Sequence, residues 1–255
     1  MDHIAPQLHK LQFGFLKGKS TTAQILRVLH NIGAKLDKRV QVDAIYLDFA
    51  KAFDRVNHKL MRKKVHRFGI HGTLSWFEDC LTDRVQRVTV LEVNAKSLPV
   101  LSGVPQGSIL GPLLFLIYVS DLPDVASSTS VALPADDTKC YQTIESTEDG
   151  ACLQRDLDHI NQWRDLWQVD LSQSKCGLLS ITRNACPFHF PYQLSDVQVM
   201  MMEAEKDRGV LVTINLKWNS QVLAASSKAN RMLGFLQRSA FDTHDQRAPS
   251  YFTCQ

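Results

Sequence analysis

Between residues 21 and 36, Ala23, Leu26, Leu29 (or Val28), Ile32 and Leu36 recur at helical spacing behind the capping candidates Ser20 and Thr21, which predicts an amphipathic helix. The next stretch, Val40–Phe49, is rich in β-branched and aromatic residues and predicts a strand that ends near Asp48 and passes into a basic helix from about Asn57. A helix near Thr73–Leu81 precedes Arg84–Leu101, where Val85, Arg87, Thr89 and Leu91 alternate as in strands around a turn at Asn94–Ser97. Gly103, Pro105 and Gly107 interrupt the pattern. An apolar helix then runs from Ile109 to Val119, with Pro112 in its first turn, where a missing N–H costs little.

Thr129–Pro134 and Lys139–Ile144 read as two short strands joined through Ala135–Thr138, a hairpin with carboxylates at its tip. Leu153, Leu157, Ile160 and Trp167 mark a second amphipathic helix, followed by strand-like Gly177–Thr182, Val197–Met202 and Gly209–Val212. A basic helix over 220–240 closes the series. Strands and helices alternate without a βαβ phosphate loop, which points to an α+β fold.

Composition adds bounds. A chain of 255 residues, 44% hydrophobic, can bury a sizeable core. A net charge of +3 is too mild to announce a polyanionic partner. Local charge says more: Arg55, Lys59, Arg62, Lys63, Lys64 and Arg67 occur without an intervening acid, and Lys217, Lys228, Arg231 and Arg238 recur later. These runs fit phosphate contacts or solvated helix faces equally well. The six cysteines lie far apart with no zinc spacing, as expected of free thiols in a reducing compartment. The first residues lack the regions of a signal peptide, and the longest apolar run, Leu113–Val119, is too short to span a bilayer. The expectation is an intracellular protein of the cytoplasm and/or nucleus, with no membrane partner.

Two motifs could carry chemistry. Gly14–Ser20 resembles a Walker A loop but has three residues between its glycines where four are needed, and no strand is predicted to lead into it. The acidic set is Asp48 with Asp54, and Asp136 with Asp137. Phosphoryl transfer to a 3′-hydroxyl needs carboxylates that hold two Mg²⁺ roughly 3.5–4 Å apart, and a carboxylate at a strand end facing a pair on a hairpin tip can supply them. An Asp-Asp pair by itself more often marks an exposed turn.

Order and context change that balance. The stretches Gln12-Phe-Gly-Phe15, Asp48-Phe-Ala-Lys-Ala-Phe-Asp54, Ser102-Gly-Val-Pro-Gln-Gly-Ser-Ile-Leu-Gly-Pro112, Ala135-Asp-Asp137, Lys175-Cys176 and Glu205-Lys-Asp-Arg-Gly-Val210 together resemble the reverse transcriptases of non-LTR, LINE-type, jockey-like retrotransposons. The resemblance implies a right-hand polymerase palm, an antiparallel sheet packed on helices. It divides the chain into partial fingers at 1–38, a palm at 39–218 and the start of a thumb at 219–255. Fingers elements fall near 58–101, and a segment like the primer grip at 205–218.

The same resemblance implies an RNA-directed DNA polymerase that extends a DNA primer on an RNA or DNA template with dNTPs and two Mg²⁺ ions, Mn²⁺ being the alternative. Asp48, Asp136 and Asp137 become metal-site carboxylates with the Phe49 carbonyl as a further oxygen ligand, a hard set suited to Mg²⁺. Asp54 ends its motif in a local structural role. Phe53 falls where a bulky ring excludes a 2′-hydroxyl, though it also reads as a core phenylalanine. Gln106 and Gly107 match a turn touching nucleotide and template, or simply start the helix at Ile109. Lys175 matches a general acid for pyrophosphate departure, or is an exposed loop lysine. Arg55, Lys59, Arg62, Lys63, Lys228 and Arg231 become phosphate contacts, which position a duplex without reading its sequence.

Three residues depart from the pattern: Pro134 where an aromatic is usual, Arg208 where leucine is expected, and Ser172 where asparagine is common. The chain starts at the Q-x-G-F region, so it is expected to be a fragment or decaying copy with little activity of its own. A non-catalytic nucleic-acid-binding remnant and a P-loop NTPase are the rival classes.

Overall fold

The computed structural model describes residues 4–70, 79–133 and 137–241. Its centre is a five-stranded sheet whose middle strand, β1 (Gln41–Asp48), is flanked by β7 (Asp137–Ile144) and β8 (Gly177–Ile181), both antiparallel to it. β6 (Ser130–Ala132) extends the sheet beyond β7, and β11 (Met200–Met201) pairs parallel to β8 at the other edge. β1 and β8 are buried nearly throughout, as strands covered on both faces must be.

One face carries α3 (Leu110–Val119) and α4 (Thr147–Trp167). α3 has no charged residue and its last six positions are buried, the behaviour of a helix apolar all round. With Ile45, Leu47, Cys140 and the α4 residues Leu153, Leu157, Ile160 and Trp163, it forms the main core. A capping box between Ser146 and Asp149 starts α4, and Gln168 in the left-handed conformation ends it. α2 (His58–Arg67), capped by Asn57, packs on α3.

The opposite face carries α1 (Thr21–Leu36) and a separate hairpin of β12 (Ala204–Asp207) and β13 (Val210–Thr213), which share a smaller core of Val28, Ile32, Leu36, Val42, Leu179, Ile181 and Val212. α5 (Asn219–Phe241) follows the hairpin. Among the described residues, no helix is long and apolar enough to cross a membrane.

Several expectations are corrected. The buried face of α1 is Gln24, Ile25, Val28, Ile32 and Leu36, while Ala23 and Leu26 are exposed. The ribbon over 85–99, in which β2 (Val85–Gln86) pairs with β5 (Leu98–Pro99) and β3 (Thr89–Val90) with β4 (Val93–Asn94), turns at Leu91–Glu92, both at positive φ, and not at Asn94–Ser97, because Asn94 pairs with Thr89 and accepts its hydroxyl hydrogen at 2.6 Å. The strand expected over Val197–Met202 is split into β10 (Val197–Gln198), which pairs with β9 (Gln193–Leu194), and β11. β7 starts at Asp137, two residues earlier than expected, and β12 was not anticipated. Residues 73–78, Pro134 and Asp136 lie outside the described residues.

Candidate active site

Asp48 is the last residue of β1 and is directly opposite Asp137 in the β1–β7 register. The chain cannot drift there. Its carbonyl accepts the Ser172 N–H at 2.8 Å, and the Ala50 N–H donates to the Asp170 carbonyl at 2.8 Å, so the backbone on both sides of Phe49 is held by residues 170–172. Phe49 anchors the corner with a buried ring against Trp163, centroids 6.5 Å apart. Ser172, unusual by type, serves here through its main chain.

The turn Gln173–Lys175 brings Lys175 Nζ to 3.1 Å from Asp48 Oδ2. Both side chains line a cleft of about 380 Å³ whose other walls include Tyr46, Thr138, Met202, Glu205 and Lys206. At the cleft floor burial pushes the Cys176 thiol up, so that side chain stays protonated.

Beyond Asp48, two loops are stitched together. The Gly103 N–H donates to Val56 O and the Val104 N–H to Phe53 O, each at 2.8 Å. Ser102 Oγ donates to Asp54 O at 2.8 Å, and Gln106 Nε2 to Asp54 Oδ1 at 2.6 Å. Asp54 thus ties the two motifs together, in the structural role expected of it. The half-buried Phe53 ring rests on Phe115, centroids 4.6 Å apart, and meets Phe15 edge-on at 6.5 Å. Gly107 is exposed, with φ of +77 at Gly18 and +75 at Gly107 marking two turns open to solvent.

The basic residues divide. Lys59, Arg62 and Lys63 are exposed on α2, and Lys228 and Arg231 on α5. Arg55 forms an ion pair with Asp170, beside the Asp48 corner. Lys64 departs from the expected basic face: it is buried, paired with Asp121, with its ammonium 3.8 Å from the Trp167 ring centroid. Asp121 also accepts the Trp163 indole N–H at 2.8 Å, so this lysine belongs to the α2–α4 packing. In the Walker-like loop, Lys19 Nζ donates back to Lys10 O and Gln12 O at 3.1 and 2.8 Å, and no strand leads into the loop among the described residues.

A second buried pair was not anticipated. Lys139 on β7 and Asp207 at the end of β12 form an ion pair with both side chains almost wholly buried. Lys139 stands opposite Tyr46 in the register, 5.4 Å from its ring centroid. A lysine inside a strand otherwise reading as core was the available signal, since a buried ammonium requires a partner.

Among the described residues, no three His, Cys, Asp or Glu side chains converge as a metal cage. The donor set nevertheless suits a divalent cation: Asp48 opens on the cleft and already holds a cationic group, the Lys175 ammonium, at 3.1 Å.

The chain matches the family described as reverse transcriptase (RNA-dependent DNA polymerase) over residues 1–235. It is 30% identical over 196 residues to the RNA-directed DNA polymerase from mobile element jockey of Drosophila melanogaster, covering 72% of this chain and 21% of that protein. It is 29% identical over 218 residues to the probable RNA-directed DNA polymerase from transposon X-element of Drosophila melanogaster, covering 83% of this chain and 24% of that protein. The chain therefore spans about a fifth to a quarter of the length of these curated relatives. Among solved structures, telomerase from Candida albicans, in complex with a fragment of telomeric RNA, superposes with a TM-score of 0.53 at 12% identity, covering 77% of this chain and 34% of that one. Apo telomerase from Candida tropicalis gives 0.52 at 11% identity, covering 78% and 39%. At such identities the likeness shows the fold: an antiparallel sheet on helices, the α+β palm that the motifs imply.

Proposed function

This chain belongs to the reverse transcriptase family, and we propose that it serves as the palm of an RNA-directed DNA polymerase from a LINE-type, jockey-like retrotransposon, adding deoxynucleotides to a DNA primer on an RNA or DNA template. The juxtaposition of Asp48 and Asp137 supports this most, because two acidic motifs far apart in sequence are directly paired across one ladder. On this reading the palm is 39–218, with 1–38 as fingers and 219–255 as the start of the thumb.

Asp48, Asp136, Asp137 and the Phe49 carbonyl would hold the divalent ions, Mg²⁺ or Mn²⁺, whose contribution when bound is to activate the 3′ oxygen and neutralise charge on the leaving pyrophosphate. The chain's own groups do the rest. Lys175, beside Asp48, donates a proton to the departing pyrophosphate oxygen. Phe53, backed by Phe115, would be the bulky ring that excludes a 2′-hydroxyl. Gln106, fixed by Asp54, and Gly107 approach the nucleotide and template. Lys59, Arg62, Lys63, Lys228 and Arg231, with Arg55 at the corner, bind backbone phosphates and position the duplex.

The test is template-primed incorporation of deoxynucleotides in the presence of Mg²⁺, with Asp48→Asn as the matched control. Incorporation that falls about a hundredfold or more in Asp48→Asn, with an unchanged circular dichroism spectrum, supports the reading. Equal incorporation by the two proteins sinks it. Tight primer–template binding without incorporation would favour a non-catalytic nucleic-acid-binding protein.

A further inference from the structure

The β12–β13 hairpin forms its own two-stranded sheet, separate from the five-stranded one. A lone hairpin is marginally stable in water, so its attachments decide where it stands. Its base is well held. The Met202 N–H donates to Leu178 O at 2.8 Å, the Thr182 N–H donates to Ile214 O at 2.9 Å, and Val212 enters the smaller core. Its tip turns tightly through Arg208 and Gly209, both at positive φ, immediately after Asp207. That last residue before the turn carries the carboxylate buried against Lys139.

Lys139 lies two residues beyond Asp137 on β7, roughly 7 Å along the strand, and faces Tyr46, which precedes Asp48 by two on β1. Asp48, Lys175, Glu205, Lys206 and Asp207 line the same cleft. A shift of the tip therefore changes the walls of the cleft that Asp48 lines. A buried lysine of this kind cannot serve as a phosphate contact: its side chain is 3% exposed and its charge is already answered.

We propose that Lys139 and Asp207 are positioning residues: their buried ion pair clasps the hairpin tip to the strand that carries Asp137 and so sets where the primer's 3′ end lies relative to Asp48. The polymerase part of this statement rests on the function proposed above; the clasp does not. Removing one partner leaves a buried charge uncompensated and threatens folding, whereas replacing both with apolar residues of similar volume is often tolerated. The informative variants are therefore Lys139→Met/Asp207→Leu together and the conservative Lys139→Arg.

The experiment uses the full chain and two readouts, amide hydrogen exchange and single-nucleotide primer extension. In the double variant, amides of 204–213 should exchange about tenfold faster or more while β1, β7 and β8 keep their protection. The rate at saturating dNTP should fall about tenfold with the KM for dNTP within about twofold, because a misplaced 3′ end slows chemistry without weakening nucleotide binding. Lys139→Arg should stay near wild type in both. Unchanged exchange at 204–213 in the double variant overturns the clasp. Faster exchange with an unchanged extension rate overturns the positioning role. Faster exchange in a chain whose wild type extends no primer leaves the clasp standing and removes the polymerase reading instead.

Discussion

A Cβ atom on Gly103 would stand 2.8 Å from both the Cα and the carbonyl oxygen of Asp54, so the two loops beyond Asp48 touch backbone to backbone. Gly103 also has φ of +89, which L side chains rarely adopt. Gly103→Ala should therefore cost about 2–3 kcal/mol of stability, because the crowding atoms are main chain and cannot swing aside. Denaturant unfolding of the two proteins checks this. An unchanged midpoint would mean that the loops separate freely and that Gln106 is not held by Asp54.

Asp43 and Asp156 are both buried carboxylates, and their pKa values move in opposite directions. At Asp156 burial pushes the value up, but the N–H groups of Ser127, Ser128 and Thr129, at 2.8–3.0 Å, outweigh it and hold the carboxyl below its ordinary range. At Asp43 burial dominates over the hydrogen bonds from Ser180, Gln41 and Tyr192, and the value is raised. The signs follow from proton binding. Asp156 binds its proton less readily folded than unfolded, so its stabilisation is present above the ordinary pKa of 3.8 and lost as pH falls through the folded value. Asp43 binds it more readily folded, so its cost is absent below 3.8 and grows as pH rises through the folded value. Asp156→Asn should lose about 2–3 kcal/mol at neutral pH and less in acid. Asp43→Asn should be neutral or stabilising at neutral pH, since an amide can still accept from Ser180 and donate toward Tyr192. Unfolding curves at about pH 7 and about pH 4 decide Asp43, and a further curve at about pH 2 decides Asp156, whose contribution is lost only below 3.8.

Adjacent lysines on α2 should separate folding from binding. Lys64→Met breaks the buried pair with Asp121 and should cost about 2 kcal/mol, moderated because Asp121 keeps the Trp163 N–H and some water. Lys63→Met should leave stability within about 0.5 kcal/mol but weaken primer–template binding and reduce its salt slope by about 1. Fluorescence anisotropy across a salt series reads the second effect. If Lys63→Met binds with an unchanged slope, α2 is not a phosphate face.

Where local chemistry decides structure, the sequence was readable. β1 and α3 are apolar enough to permit one reading, and the acidic motifs led to Asp48 and Asp137 across the ladder. In α1 the buried Val28, Ile32 and Leu36 were readable, but the start of the face was not, because two apolar stripes compete there and the burial of Gln24 depends on its bond to the Leu11 carbonyl, a partner elsewhere in the chain. The turn at Leu91–Glu92 carries neither glycine nor asparagine, and the nearby Asn94 drew the expectation away. β12, with the sequence AEKD, has no apolar alternation and owes its strand to β13 and the buried pair. Lys64 read as part of a basic face because its partner, Asp121, is distant in the sequence, and the Lys139–Asp207 pair likewise joins residues 68 apart. Arg208 departs from the family pattern, yet it stands at an exposed turn where no apolar neighbour is needed.

Lys175 offers the sharpest test of mechanism, because two roles for it predict different results from one substitution. If the residue only supplies positive charge near the departing pyrophosphate, Lys175→Arg should retain most activity, since the guanidinium reaches as far and stays charged. If it transfers a proton, the same variant should fail, because a guanidinium does not release one near neutral pH. The proton-transfer reading predicts that Lys175→Arg and Lys175→Met are both slowed about a hundredfold in single-turnover incorporation. Neither change should alter stability by more than about 1 kcal/mol, because the ion pair with Asp48 is solvent-exposed on the lysine side. That separation matters, for it keeps a lost rate from being mistaken for a lost fold. The nucleotide analogue that carries a better leaving group than pyrophosphate then closes the argument. Proton donation becomes dispensable with such a substrate, so the gap between wild type and Lys175→Met should narrow. A gap of the same size with both substrates assigns Lys175 to charge alone.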